Sequence, residues 1–115
     1  MIITPAATIA GYAVVETLGL ARGNTIRARH LGRDILAALK GMVGGEIEEY
    51  TKMMGEAREQ AVDRMVAEAT RLGANAVTDV RFMTSVIMGA ASEILAYGNA
   101  VIVKPESESY PTQER

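Results

Sequence analysis

Between residues 47 and 72 the apolar side chains Ile47, Tyr50, Met54, Ala57, Ala61, Met65, Ala69 and Leu72 step by three or four without a break. Only an α-helix gathers such positions on one face, so the spacing predicts one continuous helix over about 46–72. Glu46, Glu48 and Glu49 crowd its first turn, where the helix dipole favours carboxylates. Gly73 stands where a left-handed residue ends a helix. The stripe narrows to alanine at 57, 61 and 69. Whatever packs there must approach the helix backbone closely and must itself be small.

A matching surface lies near the C-terminus. Residues 76–87 ("AVTDVRFMTSVI") and 93–104 ("EILAYGNAVIVK") read as strands, and the "MGAA" between them as a hairpin turn, so the pair should be antiparallel. One face of the second strand is Ile94, Ala96, Gly98, Ala100 and Ile102, small enough to meet the alanines of the helix. Upstream, "IIT" at 2–4 is a short strand ended by Pro5 and 12–21 a longer one. Gly19 and Gly23 are its expected bulge or turn points, with "NTIRARH" extended after an "RGN" turn. Leu31, Ile35, Leu36 and Leu39 predict a short helix over 31–42, broken at Gly44 and Gly45. The order is β-β-α-α-β-β in a single α+β domain, 1–104, followed by a polar, proline-bearing tail, 105–115, read as disordered. One long helix covers one sheet face, and nothing in this sequence is assigned to the other. Subunit packing is therefore expected.

Composition points the same way. With no Trp, one Phe and four Tyr among 115 residues, the core is built from small and aliphatic side chains and buries little per residue. A net charge of −2 argues against a general nucleic-acid binder. The absence of cysteine removes disulfides, thiolate nucleophiles and thiolate metal sites together. The first residues show neither a basic n-region nor an apolar h-region, and no uncharged apolar run reaches membrane-spanning length. A cytoplasmic protein without membrane contact is the expectation.

Chemistry concentrates in "GLARGNTIRARHLGRD", which holds Arg22, Arg27, Arg29, Arg33 and the single histidine, His30. The plainest reading makes it an inter-subunit seam, its arginines facing the helix, where residues 46–68 carry seven acids against three bases. An anion site built by Arg27, Arg29 and Arg33 near the short helix is the sharper one. His30 and Asp34 stand at i, i+4, but a metal site needs three or four ligands and none is assigned. Ser85 and Ser92 lack a nucleophile signature, so no catalytic residue is assigned either. By alternation Asp79 and Arg81 share a face with Val77 and Met83, while Glu93, Tyr97 and Asn99 share one with Leu95 and Val101. Arg81 paired with Glu93 or Asp79 would satisfy these charges structurally, whereas a pocket lined by Arg81, Tyr97 and Glu93 would bind a ligand. The candidate ligand-binding residues are thus Arg27, Arg33, Arg81, Glu93 and Tyr97, for an anion at the arginines or a hard cation near Glu93 and Asp79. No cofactor is indicated.

The elements "GRDI", "VGGE..EY" and "LGANAV..VRF.TS", with "TSVIMGAASEILAYGNAV", are specific in combination. Over residues 1–104 the chain resembles the YbjQ-like family of small proteins. The resemblance implies a dodecin-like β-α-β-β subunit, one long helix on an antiparallel sheet, assembled into a homopentameric ring. Members are often labelled heavy-metal-binding, but soft metals favour thiolates and this chain has none. The function expected is that of a non-enzymatic ring binding a small ligand or ion at subunit junctions. One alternative is an enzyme with inter-subunit active sites using Glu93 with Tyr97, or His30 with Asp34. The other is a structural module docking a partner through the acidic helix face.

Overall fold

The alanine stripe folds as its spacing predicts. In the computed structural model, which describes residues 1–28, 45–87 and 91–109, Gly45–Arg71 form one long helix, α1. Its end is set by Gly73 at φ 93°, with Gly73 N donating to Thr70 O and Ala74 N to Ala69 O, both at 3.0 Å. That pair of bonds is the Schellman closure, which satisfies carbonyls the last turn would leave orphaned.

The strands are β1 (Ile2–Ile3), β2 (Tyr12–Ala28), β3 (Ala76–Ile87) and β4 (Ala91–Pro105). They form one sheet in the order β1-β3-β4-β2. β4 pairs antiparallel with both β2 and β3, as the hairpin reading requires. β1 runs parallel to β3, so the sheet is mixed rather than antiparallel throughout. The short helix expected over 31–42 and the arginines beyond Ala28 lie outside the described residues. The polar tail begins with one helical turn, α2 (Glu106–Ser109), where composition alone points to no regular structure. Glu106 N donates to Gly11 O at 3.1 Å and ties that turn to the N-terminal loop.

β2 differs from its sequence reading in one informative way. No turn interrupts it at Arg22-Gly23-Asn24, and the strand runs unbroken from Tyr12 to Ala28. Gly23 is instead the point where the helix backbone presses on the sheet. A Cβ there would sit 2.4 Å from Ala61 O and 2.3 Å from Met65 N. Gly19 does mark a bulge, with φ 132° at a register shift against Ala100.

Around this crossing Ala57, Ala61, Met65 and Ala69 of α1 bury themselves against Ala21, Val77, Ile94, Ala96 and Ala100. The result is a slab of 69 × 26 × 16 Å. Its radius of gyration is 19.1 Å, against about 13 Å for a compact domain near this size. α1 lies chiefly over β2 and β4, so Phe82 and Val86 of β3, on the same sheet face, stay exposed. The opposite face is not wholly bare, contrary to expectation. The N-terminal loop folds over one end of it, where Ile9 packs on Ala76, Val101 and Val103.

Two glycines therefore carry packing that no side chain can replace. Gly98 is the second, its Cβ direction blocked by Val77 Cγ1 at 2.6 Å and Thr78 O at 2.8 Å. Gly23→Ala and Gly98→Ala should each lower stability by about 1–3 kcal/mol through overpacking. Gly55→Ala, mid-helix with only a flexible Arg58 tip at 3.8 Å, should instead raise it by about 0.5–1 kcal/mol. Urea titration of the three variants checks both signs.

Candidate functional site: a polar row on the open sheet face

The site begins at an irregularity in β3. Its register with β4 shifts between Thr78, opposite Asn99, and Arg81, opposite Tyr97. One extra residue is accommodated there, with Asp79 at φ 55°. Aspartate tolerates this left-handed region better than most residues. The bulge is braced from both sides. Asp79 N donates to Ala6 O at 3.0 Å, Val80 N to Thr4 O at 3.1 Å, and Asn99 Nδ2 to Asp79 Oδ2 at 3.0 Å. Because the bulge shifts the alternation, Val77 faces α1 while Arg81 faces away. The reading that gave these two residues one face is corrected by that single inserted position.

Re-aimed in this way, Arg81 joins a row across three strands, Arg22 of β2, Tyr97 of β4 and Arg81 of β3, directly opposite one another on the face away from the helix. Arg81 Nη1 donates to Pro5 O at 2.8 Å and Val80 O at 2.9 Å. Arg22 makes no hydrogen bond or ion pair with any described residue. The next row along is Asn24, Leu95 and Met83, and the one after it Ile26, Glu93 and Ser85. Asn24 Nδ2 donates to Glu93 Oε2 at 3.0 Å. A cleft of about 470 Å³ opens at the β2 edge, lined by Arg22, Asn24, Glu68, Glu93 and Leu95. Over it, Arg64 Nη1 of α1 donates to Asn24 O at 2.6 Å, and Glu68 is held by Arg71 at 2.5 Å.

Of the residues singled out from sequence, Arg81 and Tyr97 are brought together, and Glu93 is not with them. Leu95 intervenes, and four residues of strand separate Glu93 from Tyr97 by roughly 13 Å. They are too far apart to serve as an acid–base pair. Neither Arg81–Glu93 nor Arg81–Asp79 forms; each acid accepts from a neutral asparagine instead. Arg27, next to last in β2, has its backbone opposite Ser92, and its side chain lies outside the described residues. Arg33, His30 and Asp34 lie outside them altogether. Arg22, noted in sequence within the basic stretch, is not among the ligand candidates there, because its place beside Tyr97 follows only once β2 is registered against β4.

One long helix on a four-stranded mixed sheet, with a polar row on the face that the described residues leave largely open, defines a thin α+β fold. A protein of unknown function of the DUF74 family from Pediococcus pentosaceus has a similar fold, with a TM-score of 0.60 over 90% of this chain and 98% of that one. At 15% identity the likeness concerns the fold alone. The chain belongs to the YbjQ family, whose model, described as "Putative heavy-metal-binding", matches residues 1–104. It is 58% identical over 104 residues to a UPF0145 protein of Dehalococcoides mccartyi, covering 90% of this chain and all of that one. It is equally 58% identical over 101 residues to one of Methanosarcina acetivorans, covering 88% and 95%. No helix among the described residues is long and apolar enough to cross a membrane.

The family description implies a metal, and the donor set can be tested against it. The chain has no cysteine and one histidine. Among the described residues no three His, Asp or Glu side chains converge. These residues do not fit a soft heavy metal, which selects thiolates. Added Cd²⁺ at one equivalent is expected to leave the melting temperature unchanged. The bulge makes a separate prediction. Asp79→Gly, free of backbone strain, should be more stable than Asp79→Ala by about 1–2 kcal/mol, measured by urea unfolding.

Proposed function

We propose that the chain is a non-enzymatic ring subunit that pairs sheet edges with copies of itself and holds a small ligand or ion at the junctions. The observation that carries this reading is a sheet with two unpaired edges. Among the described residues β4 is the only strand that pairs with β2, whose other side is met by the Arg64 side chain, donating to Asn24 O. The outer edge of β3 meets β1 at Ala76 and Val77, and the following loop as far as Val80, leaving 81–87 without a partner among the described residues. Long exposed edges are templates for further pairing. An edge of β2 joined to an edge of β3 in the next copy is a head-to-tail contact, which closes into a ring when the rotation allows. Five copies is the size that the family resemblance implies.

Side chains along both edges support the same assembly. Leu20 and Ile26 on β2 and Phe82, Met83 and Val86 on β3 are each about half exposed or more, Val86 by 73%. Exposed apolar groups strung along pairing edges are a feature of buried interfaces rather than of a lone domain. The cleft lined by Arg22, Asn24 and Glu93 opens on the β2 edge, so a neighbour would roof it.

Native mass spectrometry tests the reading. The unmodified chain should give a closed oligomer. Ile26→Lys with Val86→Lys, which puts charge on side chains a lone subunit leaves in water, should give a folded monomer. A monomeric unmodified chain, or a double variant of unchanged oligomer mass, would show the proposal to be wrong.

A further inference from the structure

We infer that the row Arg22–Tyr97–Arg81 is a binding site for a phosphate-type oxyanion, free or carried as a monoester on a small molecule. This deepens the reading above by naming the chemistry of the ligand, and it rests on the junction cleft that Arg22 lines continuing along the open sheet face to Tyr97.

The argument is one of charge allocation. Two carboxylates near the row accept from neutral amides, Asp79 from Asn99 and Glu93 from Asn24, each at 3.0 Å, while Glu68, which shares the cleft with Arg22, is paired with Arg71. The two guanidiniums are correspondingly left without a carboxylate. Arg22 has no partner among the described residues. Arg81 uses one nitrogen on two main-chain carbonyls, Pro5 O and Val80 O, which fix its position without neutralising it. A guanidinium presents five N–H donors, so most of those on Arg81 remain unused. On a net-negative chain, arginines denied the acids beside them remain available to an external anion.

Geometry adds proximity. Arg22 and Arg81 flank β4 from the two neighbouring strands, so their Cα atoms stand roughly 10 Å apart. Arg81, whose Nη1 rests on Pro5 O, and Arg22, which lines the cleft at the β2 edge, are long enough to swing inward over Tyr97. Tyr97 is half-buried in the middle of the row, its hydroxyl without a hydrogen-bond partner among the described residues. A phosphoryl group seated over it would accept from a guanidinium on either side and from the phenol between them. Guanidinium forks match phosphate oxygens in a way a point-charge ammonium does not. The N-terminal loop walls one end of the row through the Arg81–Pro5 bond, and Leu95 with Met83 forms an apolar strip on the other side for the body of an ester.

The test is isothermal titration of the full chain at low ionic strength with inorganic phosphate and, separately, with methyl phosphate, each sample also weighed by native mass spectrometry. Saturable binding is expected, weakened about tenfold or more in Arg22→Gln and in Arg81→Gln and less in Tyr97→Phe, with Arg58→Gln on the helix surface as an unaffected control. Arg22→Gln is the cleaner variant, since no described partner is lost with it. Binding of inorganic phosphate would identify the free ion as a ligand, and binding of methyl phosphate alone the ester. No saturable binding of either, or binding indifferent to both arginine variants, overturns the inference. A fall in oligomer mass in Arg22→Gln or Arg81→Gln overturns it too, because the arginines would then be contacts between subunits. A monomeric unmodified chain that still binds would instead count against the ring alone.

Discussion

The helix backbone touches the sheet backbone at Gly23, and the architecture follows from that contact. Only a glycine leaves room for Ala61 O and Met65 N at this distance. Close approach at one point obliges small side chains around it, hence Ala57 and Ala69 on the helix and Ala21, Ala96 and Ala100 on the sheet. Such a core excludes water by proximity rather than by bulk, and it buries little apolar surface per residue. The slab is consequently 16 Å thick, and its sheet extends beyond what one helix can cover. Among the described residues, a largely open face, two edges without a strand partner over much of their length and exposed Leu20, Ile26, Phe82 and Val86 are consequences of the same packing choice.

The second determinant is the bulge at Asp79. Had β3 kept strict alternation, the arginine two residues after Asp79 would have faced the helix together with Val77. The inserted residue sends Arg81 to the opposite face, beside Tyr97, while Gly98 across from it gives way to Val77, Thr78 and Val80. The left-handed backbone at Asp79 is tolerable because its carboxylate is bonded by Asn99 and its amide by Ala6. Local strain and the aim of a charged side chain are thus a single feature, paid for by two hydrogen bonds.

Much of this was legible in the residues. Helical period located α1 to within a residue at each end, because an unbroken three-four spacing has no other solution. The hairpin of β3 and β4, and the small face of β4, followed from alternation. Other parts were not legible, for specific reasons. Gly23 reads as a turn when the strand is considered alone, since its use as a contact point depends on a helix some forty residues away. The parallel placement of β1 and the cover given by Ile9 are long-range outcomes with no local signal. Alternation gives Arg81 the face of Met83 correctly and that of Val77 wrongly, because a bulge initiated by aspartate, rather than glycine, leaves little trace in sequence. Arg22 stands out in sequence only as part of the basic stretch, because only the β2–β4 register brings it to Tyr97.

Charge and ligand chemistry then separate two descriptions of the family member. A heavy-metal site asks for soft donors converging on a point, and a chain without cysteine cannot supply the softest of them. The uncovered face has the opposite character. Its carboxylates are engaged by asparagines, and its guanidiniums keep donors unspent, Arg81 bonded only to main-chain carbonyls and Arg22 to no described residue. Such a surface favours an acceptor-rich, negatively charged partner over a cation. A cation attracted to Glu93 would have to displace the Asn24 amide while standing beside Arg22 in the same cleft, where the other carboxylate, Glu68, is already paired with Arg71. The arrangement of amides around the acids therefore decides which sign of charge the face favours, because it determines which charges there are already answered.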